Sequence, residues 1–375
     1  MDPQRPPFPR PFRLAGALAG SFLLAPARAQ ERLEPPATSP GAREWRVGRV
    51  RIETADVFSE VEAAANLLYK AANLLHVTTR EEVIAREAAV LLKEGDPYRP
   101  AAAEELERNL RRLGYIAEAR VEPVFHPDGT VDLVVRTRDQ FTLRAGVSAA
   151  SFAGSSSGRA SIGEQNLFGW GKSASFLYQV TPDVRGGELS YGDSQFLGTR
   201  GVLQVSLRST DEGDSAEVSL VRPFDTLATP WSYGVRAGHV EDEAEFFEAG
   251  EDVARVPREV DSQTLFLTRG LGPPESRRFF GARLLHERSA FGAPQGAVAD
   301  VLEVPGEIDS WRIGPTGAWR DVPVYLKRAY LDALGFVEDV PLGRRIEIFP
   351  AVGYRREAGR GARVEAAADG EALWV

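Results

Sequence analysis

The feature that most constrains this chain is a change in its hydrophobic period near residue 140. Before that point, apolar residues follow the patterns of the short helices and strands of a small mixed domain. From Phe141 onward, apolar and polar residues alternate with the two-residue period of β-strands. No flexible linker sequence separates the two patterns. We therefore predict a small α+β domain that is joined directly to a large antiparallel sheet.

Two helices are predicted at the centre of the small domain. Thr79–Glu82 has the spacing of a capping box and predicts the start of a helix that ends before Gly95. A second helix is expected to follow Pro100, because proline is tolerated in a first helical turn. The apolar residues that would face the core are Ile84, Ala88 and Leu91 in the first helix and Leu106, Leu110 and Leu113 in the second.

Three strands complete the predicted domain. Ile116–Phe125 and Thr130–Arg136 flank the sequence Pro127-Asp128-Gly129, which is typical of a tight hairpin. Trp45–Ile52 predicts an earlier strand, and Glu60–Leu75 predicts an additional helical connection. The core order is strand, helix, helix, strand, strand, within residues 45–138.

The motifs KEGDPY, ERNLRRLGY and DGTVDLVV stand at characteristic spacings in this domain. With them, it resembles the POTRA domain of the BamA-like outer-membrane assembly superfamily; the pattern alone also fits a generic two-helix, three-strand domain. Farther along, GEQNLFGWGKS and YGDSQFLGTRG resemble turns of barrels from the same superfamily. The resemblance implies an α+β POTRA module followed by a transmembrane antiparallel β-barrel over residues 139–375.

The alternating pattern alone also fits a soluble β-sandwich, and three observations favour a membrane barrel. Many strands are predicted to be about ten residues long, the length of a tilted bilayer crossing. Aromatic residues lie near the short turns, as in an interfacial girdle. Connections also alternate in length. The short turns are Asn166–Gly171, Asp193–Thr199 and Gly270–Arg277, and the long loops are Glu241–Arg258 and Ser289–Ile308.

About ten to twelve such strands fit between Phe141 and the end of the sequence, at the length of a bilayer crossing. The superfamily's barrels contain more, and its Arg-Gly-Phe signature is absent here. We therefore expect the barrel to be truncated at its C-terminus; a genuine twelve-stranded barrel is the alternative.

The remaining sequence features concern location and chemistry. Residues 1–29 have the arginines, apolar run and A-x-A site of a secretory signal peptide, and residues 30–44 are expected to be a linker. The net charge of −9 argues against nucleic acid as a partner. The chain has no cysteine, and its four histidines lack ligand spacing. We predict no catalytic residue, no metal and no cofactor.

The resemblance implies a non-enzymatic factor that inserts or translocates unfolded outer-membrane or secreted polypeptides. Outer-membrane lipids and periplasmic accessory proteins would be further partners, and the POTRA domain would lie in the periplasm. Clients would add a strand to an exposed POTRA edge. The alternatives are a two-partner secretion transporter, a passive porin and a soluble periplasmic binding protein. The candidate client-binding residues are Ile116, Ala117, Glu118, Ala119, Arg120 and Val121, and the candidate residues of a lateral seam on the first barrel strand are Phe141, Leu143, Ala145 and Val147.

Overall fold

The computed structural model of this protein describes residues 44–374, apart from 153–154, 183, 228, 249–250, 274–275, 330–336 and 360. Within these residues the chain forms a three-stranded sheet with helices and a twelve-stranded antiparallel sheet. The predicted signal peptide and nearly all of the predicted linker lie outside the described residues. No helix in the described part of the chain is long and apolar enough to span a membrane.

The small domain has the predicted order of elements. Its strands align as β1-β3-β2, with β1 parallel and β2 antiparallel to the central β3. The β2–β3 hairpin turns at Pro127-Asp128-Gly129, as predicted. The elements are β1 (Arg46–Ala55), α1 (Glu60–Ala65), α2 (Leu67–Leu75), α3 (Glu81–Leu91), α4 (Pro100–Arg111), β2 (Ile116–Phe125) and β3 (Thr130–Asp139).

The core of this domain lies between α3, α4 and the three-stranded sheet. Leu106 and Leu110 of α4 are fully buried, and so is Ile84 of α3. They belong to the same cluster as Leu133 and Val135, alternate residues of the central strand. The predicted helical stripes are therefore the faces that form the core, because one face of each helix and one face of the sheet exclude water together.

The predicted capping box at the start of α3 is wrong. The residue at the N-cap is Arg80, whose side chain makes no capping hydrogen bond. The hydroxyl of Thr79 instead donates to the buried carboxylate of Asp139. A capping box that was not predicted starts α1, where Ser59 and Glu62 bond each other's backbone nitrogens.

The large sheet is an antiparallel meander in which each strand pairs with its neighbour in sequence. The described residues form twelve strands in this sheet, which agrees with the predicted number of about ten to twelve, but β13, with 23 residues, is much longer than the predicted bilayer crossing. Within the described residues the sheet is open, with β4 and β15 as its edge strands. The strands are β4 (Arg144–Phe152), β5 (Ser155–Glu164), β6 (Lys172–Val180), β7 (Arg185–Phe196), β8 (Gly201–Thr210), β9 (Gly213–Arg222), β10 (Trp231–Glu248), β11 (Glu251–Leu271), β12 (Ser276–Phe291), β13 (Glu307–Ala329), β14 (Val337–Glu357) and β15 (Gly361–Trp374).

One predicted long loop is a hairpin instead. β10 and β11 stay paired through the segment Glu241–Arg258, nearly to its tip. The acidic residues of this segment meet arginines across the ladder: Arg258 bonds both carboxylate oxygens of Asp242, at 2.8 and 2.5 Å. These cross-strand pairs let charged residues that resemble a loop in sequence continue a sheet. The other predicted loop, between Ser289 and Ile308, is confirmed for the residues between β12 and β13.

Candidate functional site

One face of the large sheet, which we call the outer face, carries an apolar band. A single row across five strands illustrates it, because cross-strand partners share a face: the row contains Val235, Leu265, Leu284, Ile313 and Val352. Val352 is 61% exposed, and most of the others are exposed as well. Soluble monomers rarely leave an apolar surface of this extent open to water. An exposed apolar band of this kind marks a surface that meets a membrane or another protein.

The apolar band ends in a charged row four residues along each strand. There, His239, Asp261, Arg288, Asp309 and Arg356 are neighbours across β10 to β14. The row in between contains Trp311 and Tyr354. An apolar band with aromatic and then charged rows at its limit is the pattern of a membrane-spanning sheet.

A histidine–carboxylate cluster lies in this charged region. His239 contacts Asp261 through Nδ1 at 2.8 Å and Glu241 through Nε2 at 3.1 Å. The potential ligand atoms of His239, Glu259 and Asp261 all lie within 4.8 Å of one another. Sequence spacing did not reveal this cluster, because the register of the β10–β11 pair, and not local sequence, brings its members together.

The opposite, inner face of the sheet is polar. Arg236 forms an ion pair with Glu217 at 3.3 Å, and Arg283 forms one with Glu347 at 3.8 Å. A cavity of about 360 Å³ lies beside the Arg283–Glu347 pair, and its lining also includes Phe279, Arg320 and Arg345.

The predicted client-binding segment lies on β2, an edge strand of the small domain. Ile116, Ala119 and Val121 point into the core and are buried, whereas Glu118 and Arg120 are exposed and Ala117 is half-buried. The free edge is partly covered by side chains of α4. Arg111 donates to the carbonyl of Ala119 at 3.3 Å, and the N–H of Val121 donates to Glu107 at 2.9 Å. Two edge groups that a client strand would use are thus already bonded.

The predicted seam residues divide between a connection and a strand. Phe141 and Leu143 precede β4, which begins at Arg144, three residues later than predicted. The chain just before them is bonded to the small domain, because the N–H of Gln140 donates to the carbonyl of Tyr115 at 2.9 Å. Ala145 and Val147 lie on the edge strand β4, and Val147 is 88% exposed.

The small domain is fixed to the end of the large sheet that bears the short turns. In the β5–β6 turn, the buried amide of Asn166 donates to the hydroxyl of Thr79 at 2.9 Å. The N–H of Arg80 donates to Gly169 at 2.9 Å, and its guanidinium lies 4.3 Å from the ring centre of Trp170. The motif GEQNLFGWGKS, which resembles a barrel turn in sequence, therefore forms a docking site for the start of α3.

Two further connections of the sheet contact the helices. At the end of β7, the buried Gln195 donates to the carbonyl of Val83 at 3.0 Å and to the carboxylate of Glu87 at 2.8 Å, both in α3. Between β9 and β10, the N–H of Leu227 donates to Glu105 of α4 at 2.5 Å. These contacts hold both helices on the sheet. The sequence does not reveal these contacts, because no motif marks a hydrogen bond between distant segments.

A buried pair lies at the junction of the two sheets. His76 Nε2 lies 2.8 Å from a carboxylate oxygen of Asp139, and both side chains are almost fully buried. Burial lowers the pKa of His76, but the hydrogen bond to Asp139 and the charge of that carboxylate raise it more, so the net pKa is raised. This position therefore stabilises the protonated imidazole relative to an ordinary histidine.

Comparison with known proteins identifies the small domain. Residues 76–138 match the POTRA family model, which is described as a surface antigen variable number repeat. The prediction of a POTRA domain is confirmed, and the chain carries this domain in front of a twelve-stranded antiparallel sheet. No curated protein matches the sequence.

Several solved structures resemble the chain distantly. BamA from Haemophilus ducreyi lacking POTRA domains 1-3 is 12% identical, with a TM-score of 0.35 over 87% of this chain and 85% of that chain. CdiB from Acinetobacter baumannii is 11% identical, with a TM-score of 0.34 over 88% of this chain and 68% of that chain. CdiB from Escherichia coli is 13% identical, with a TM-score of 0.34 over 87% of this chain and 55% of that chain.

Proposed function

We propose that this protein is an outer-membrane factor that inserts or translocates other polypeptides, with its POTRA domain in the periplasm. One observation carries the proposal: a POTRA domain is docked without a linker onto a sheet whose outer face is an exposed apolar band. Lipid would cover this band, since strands that alternate apolar and polar residues cross membranes in this way. The short-turn end, where the POTRA domain lies, would then face the periplasm.

The client in this proposal is an unfolded outer-membrane or secreted polypeptide that adds a strand to β2. Strand addition uses backbone hydrogen bonds and therefore accepts many sequences. The contacts from Glu107 and Arg111 make β2 a guarded edge, because a client must displace these side chains before it can bond Val121 and Ala119. The edge strand β4, with Ala145 and Val147, would form the seam through which a client reaches the lipid. Accessory periplasmic proteins would deliver clients to the domain.

The guarded edge can be tested by two substitutions with opposite expected effects. Glu107→Ala frees the N–H of Val121 and should increase client capture. The carbonyl of Ala119 points away from β3, and in an antiparallel pair the N–H of the same residue points the same way. Ala119→Pro removes this outward N–H and should decrease capture. Ala119→Ser, which keeps this N–H, is the control.

Capture would be measured in the full-length chain, with a photo-crosslinking amino acid at the exposed position Arg120 and newly exported outer-membrane polypeptides as clients. Equal cross-linking in the Glu107 and Ala119 variants would contradict docking at this edge. If removal of residues 44–138 also left client insertion and secretion unchanged, a passive porin would be the better interpretation. Loss of export of one secreted protein, with insertion unchanged, would favour a two-partner secretion transporter.

A further inference from the structure

The helical hairpin formed by α1 and α2 exposes a large apolar surface that the proposed function does not use. Neither helix contains a buried residue. Leu68 is 75% exposed and Leu74 is 85% exposed. The other exposed apolar residues of this segment, which we call the apolar hairpin (residues 60–77), are Val61, Leu67, Leu75 and Val77.

This surface belongs to an ordered segment. Phe58, just before α1, stacks on Tyr69 of α2 with a ring-centre distance of 4.0 Å. The side-chain amide of Asn73 donates to the carbonyl of Phe58 at 2.8 Å and accepts from its N–H at 3.1 Å. Tyr69 and Asn73 thus hold α2 by one face, and the leucines project from the other.

The apolar hairpin ends at the short-turn rim of the large sheet. Immediately after α2, His76 is bonded to Asp139, and the carbonyl of Val77 accepts from Asn166 in the β5–β6 turn at 3.5 Å. That turn carries Phe168, which is 70% exposed and has a positive φ of 54°. A bulky residue in this conformation is strained, so placing the exposed Phe168 in this turn costs conformational free energy.

Exposed apolar residues lie on the two strands that flank this turn, in the turn itself and in the segment bonded to it. Ile162 on β5 and Phe176 on β6 are exposed at the two sides of the turn, Phe168 is exposed at its tip, and Val77 follows on the bonded segment. Helices satisfy their own backbone hydrogen bonds and offer no edge to a client strand. The surface of a lipid bilayer at the rim of the sheet is the partner that such a surface fits.

We propose that the apolar hairpin lies in the interfacial region of the membrane leaflet at the short-turn rim, where phospholipid acyl chains cover Leu67, Leu68, Leu74 and Leu75. The inference rests on the proposed membrane location of the large sheet. Amphipathic helices bind membranes by burying one apolar face just below the headgroups. The hairpin would thereby fix the POTRA domain against the bilayer, next to the edge strand β4.

The absence of cysteine from the sequence permits a direct test. Single cysteines replace Leu68, Leu74, Val235 or Glu94 in the full-length chain, which is labelled with an environment-sensitive fluorophore and folded into phosphatidylcholine vesicles. A second set of vesicles contains lipids brominated in the acyl chains. Val235 reports on the apolar band, and Glu94, an exposed residue of the turn after α3, is the control in water.

We expect brominated lipids to quench the labels at Leu68, Leu74 and Val235 and to leave the label at Glu94 unchanged. Quenching at Val235 without quenching at Leu68 and Leu74 would overturn the hairpin proposal and leave the proposed membrane function intact. Absence of quenching at Val235 would overturn both proposals. If the labels at Leu68 and Leu74 became shielded only when another protein was added, the hairpin would be a protein-binding surface and the lipid proposal would again fail.

Discussion

Thr79 donates two hydrogen bonds to one carboxylate oxygen of Asp139, from its backbone nitrogen at 2.6 Å and from its hydroxyl at 2.8 Å. Both residues are buried. Asp139 is the last residue of β3, and Gln140–Leu143 are all that separates it from β4. The pair therefore joins the start of α3 to the point where the POTRA sheet passes into the large sheet.

Replacing Thr79 by valine should destabilise this junction. The substitution removes a hydroxyl that donates to a charged acceptor and also accepts from Asn166, so a loss of about 1.5–3 kcal/mol in the free energy of unfolding is expected. Thr137→Val is the matched control, because the Thr137 hydroxyl is buried without a hydrogen-bond partner. Urea titration of the full chain in detergent micelles would measure both. Equal losses in the two variants would show that the bond to Asp139 does not stabilise the fold.

Histidine 76 should make the same junction pH-dependent. Its folded-state pKa is raised above the ordinary value of about 6.5. A raised pKa means that the folded state binds the proton more tightly, so the stabilisation is complete below the unfolded pKa and disappears as the pH rises through the folded pKa. The difference in Tm between the natural chain and His76→Gln should therefore shrink as the pH rises from below the unfolded pKa of about 6.5 through the raised folded-state pKa. A difference in Tm that grows over this range would show that folding lowers the pKa of His76 instead of raising it.

Hydrophobic periodicity was enough to predict the elements of the POTRA domain and the faces of the large sheet. The helical stripe with Leu106 and Leu110 and the two-residue alternation around Val235 are strong local signals, because apolar residues recur on one side of each element. The order of the elements followed from the same signals. Glycine 169 and Gly198 have the positive φ angles that the predicted turns require.

Features that depend on competing hydrogen-bond partners or on the register of paired strands were not predictable from hydrophobic periodicity. Thr79 has the spacing of a capping residue, yet its hydroxyl bonds Asp139, which lies sixty residues away in sequence. The acidic segment after Glu241 resembles a solvated loop, but Arg255 and Arg258 on the facing strand pair with its carboxylates. The guarded state of β2 likewise depends on how α4 packs, which no local pattern records.

The outer and inner faces of the large sheet should respond differently to charge. Val205 lies in the apolar band, beside Tyr191 and Val218, whereas Ser206 faces the polar side beside Ser190 and Glu217. Val205→Arg near the midplane should cost about 2–4 kcal/mol of folding free energy in lipid vesicles, and Ser206→Arg much less. Gly234 is a poor control on the polar side, since a Cβ there would lie 2.8 Å from the carbonyl oxygen of Leu220. Equal costs at Val205 and Ser206 would mean that the two faces are misassigned.

Gly169→Ala should weaken the docking of the POTRA domain more than its backbone conformation alone explains. Gly169 has a φ of 75°, and a Cβ at this position would lie 2.4 Å from the carbonyl oxygen of Thr78. Gly359 has a similar φ of 82°, but a Cβ there would meet no atom within 4 Å. Both alanine variants should lose about 1–2 kcal/mol of unfolding free energy, because a residue with a Cβ is strained in the left-handed conformation.

Only Gly169→Ala must also push the β5–β6 turn away from Thr78 and lengthen the hydrogen bond from the Arg80 N–H to the Gly169 carbonyl. We therefore expect a larger loss of unfolding free energy for Gly169→Ala than for Gly359→Ala. We also expect faster proteolysis between α2 and α3 in the Gly169 variant alone, because the chain there is held by the turn. Identical stability and proteolysis in the two variants would show that the β5–β6 turn does not hold the domain in place.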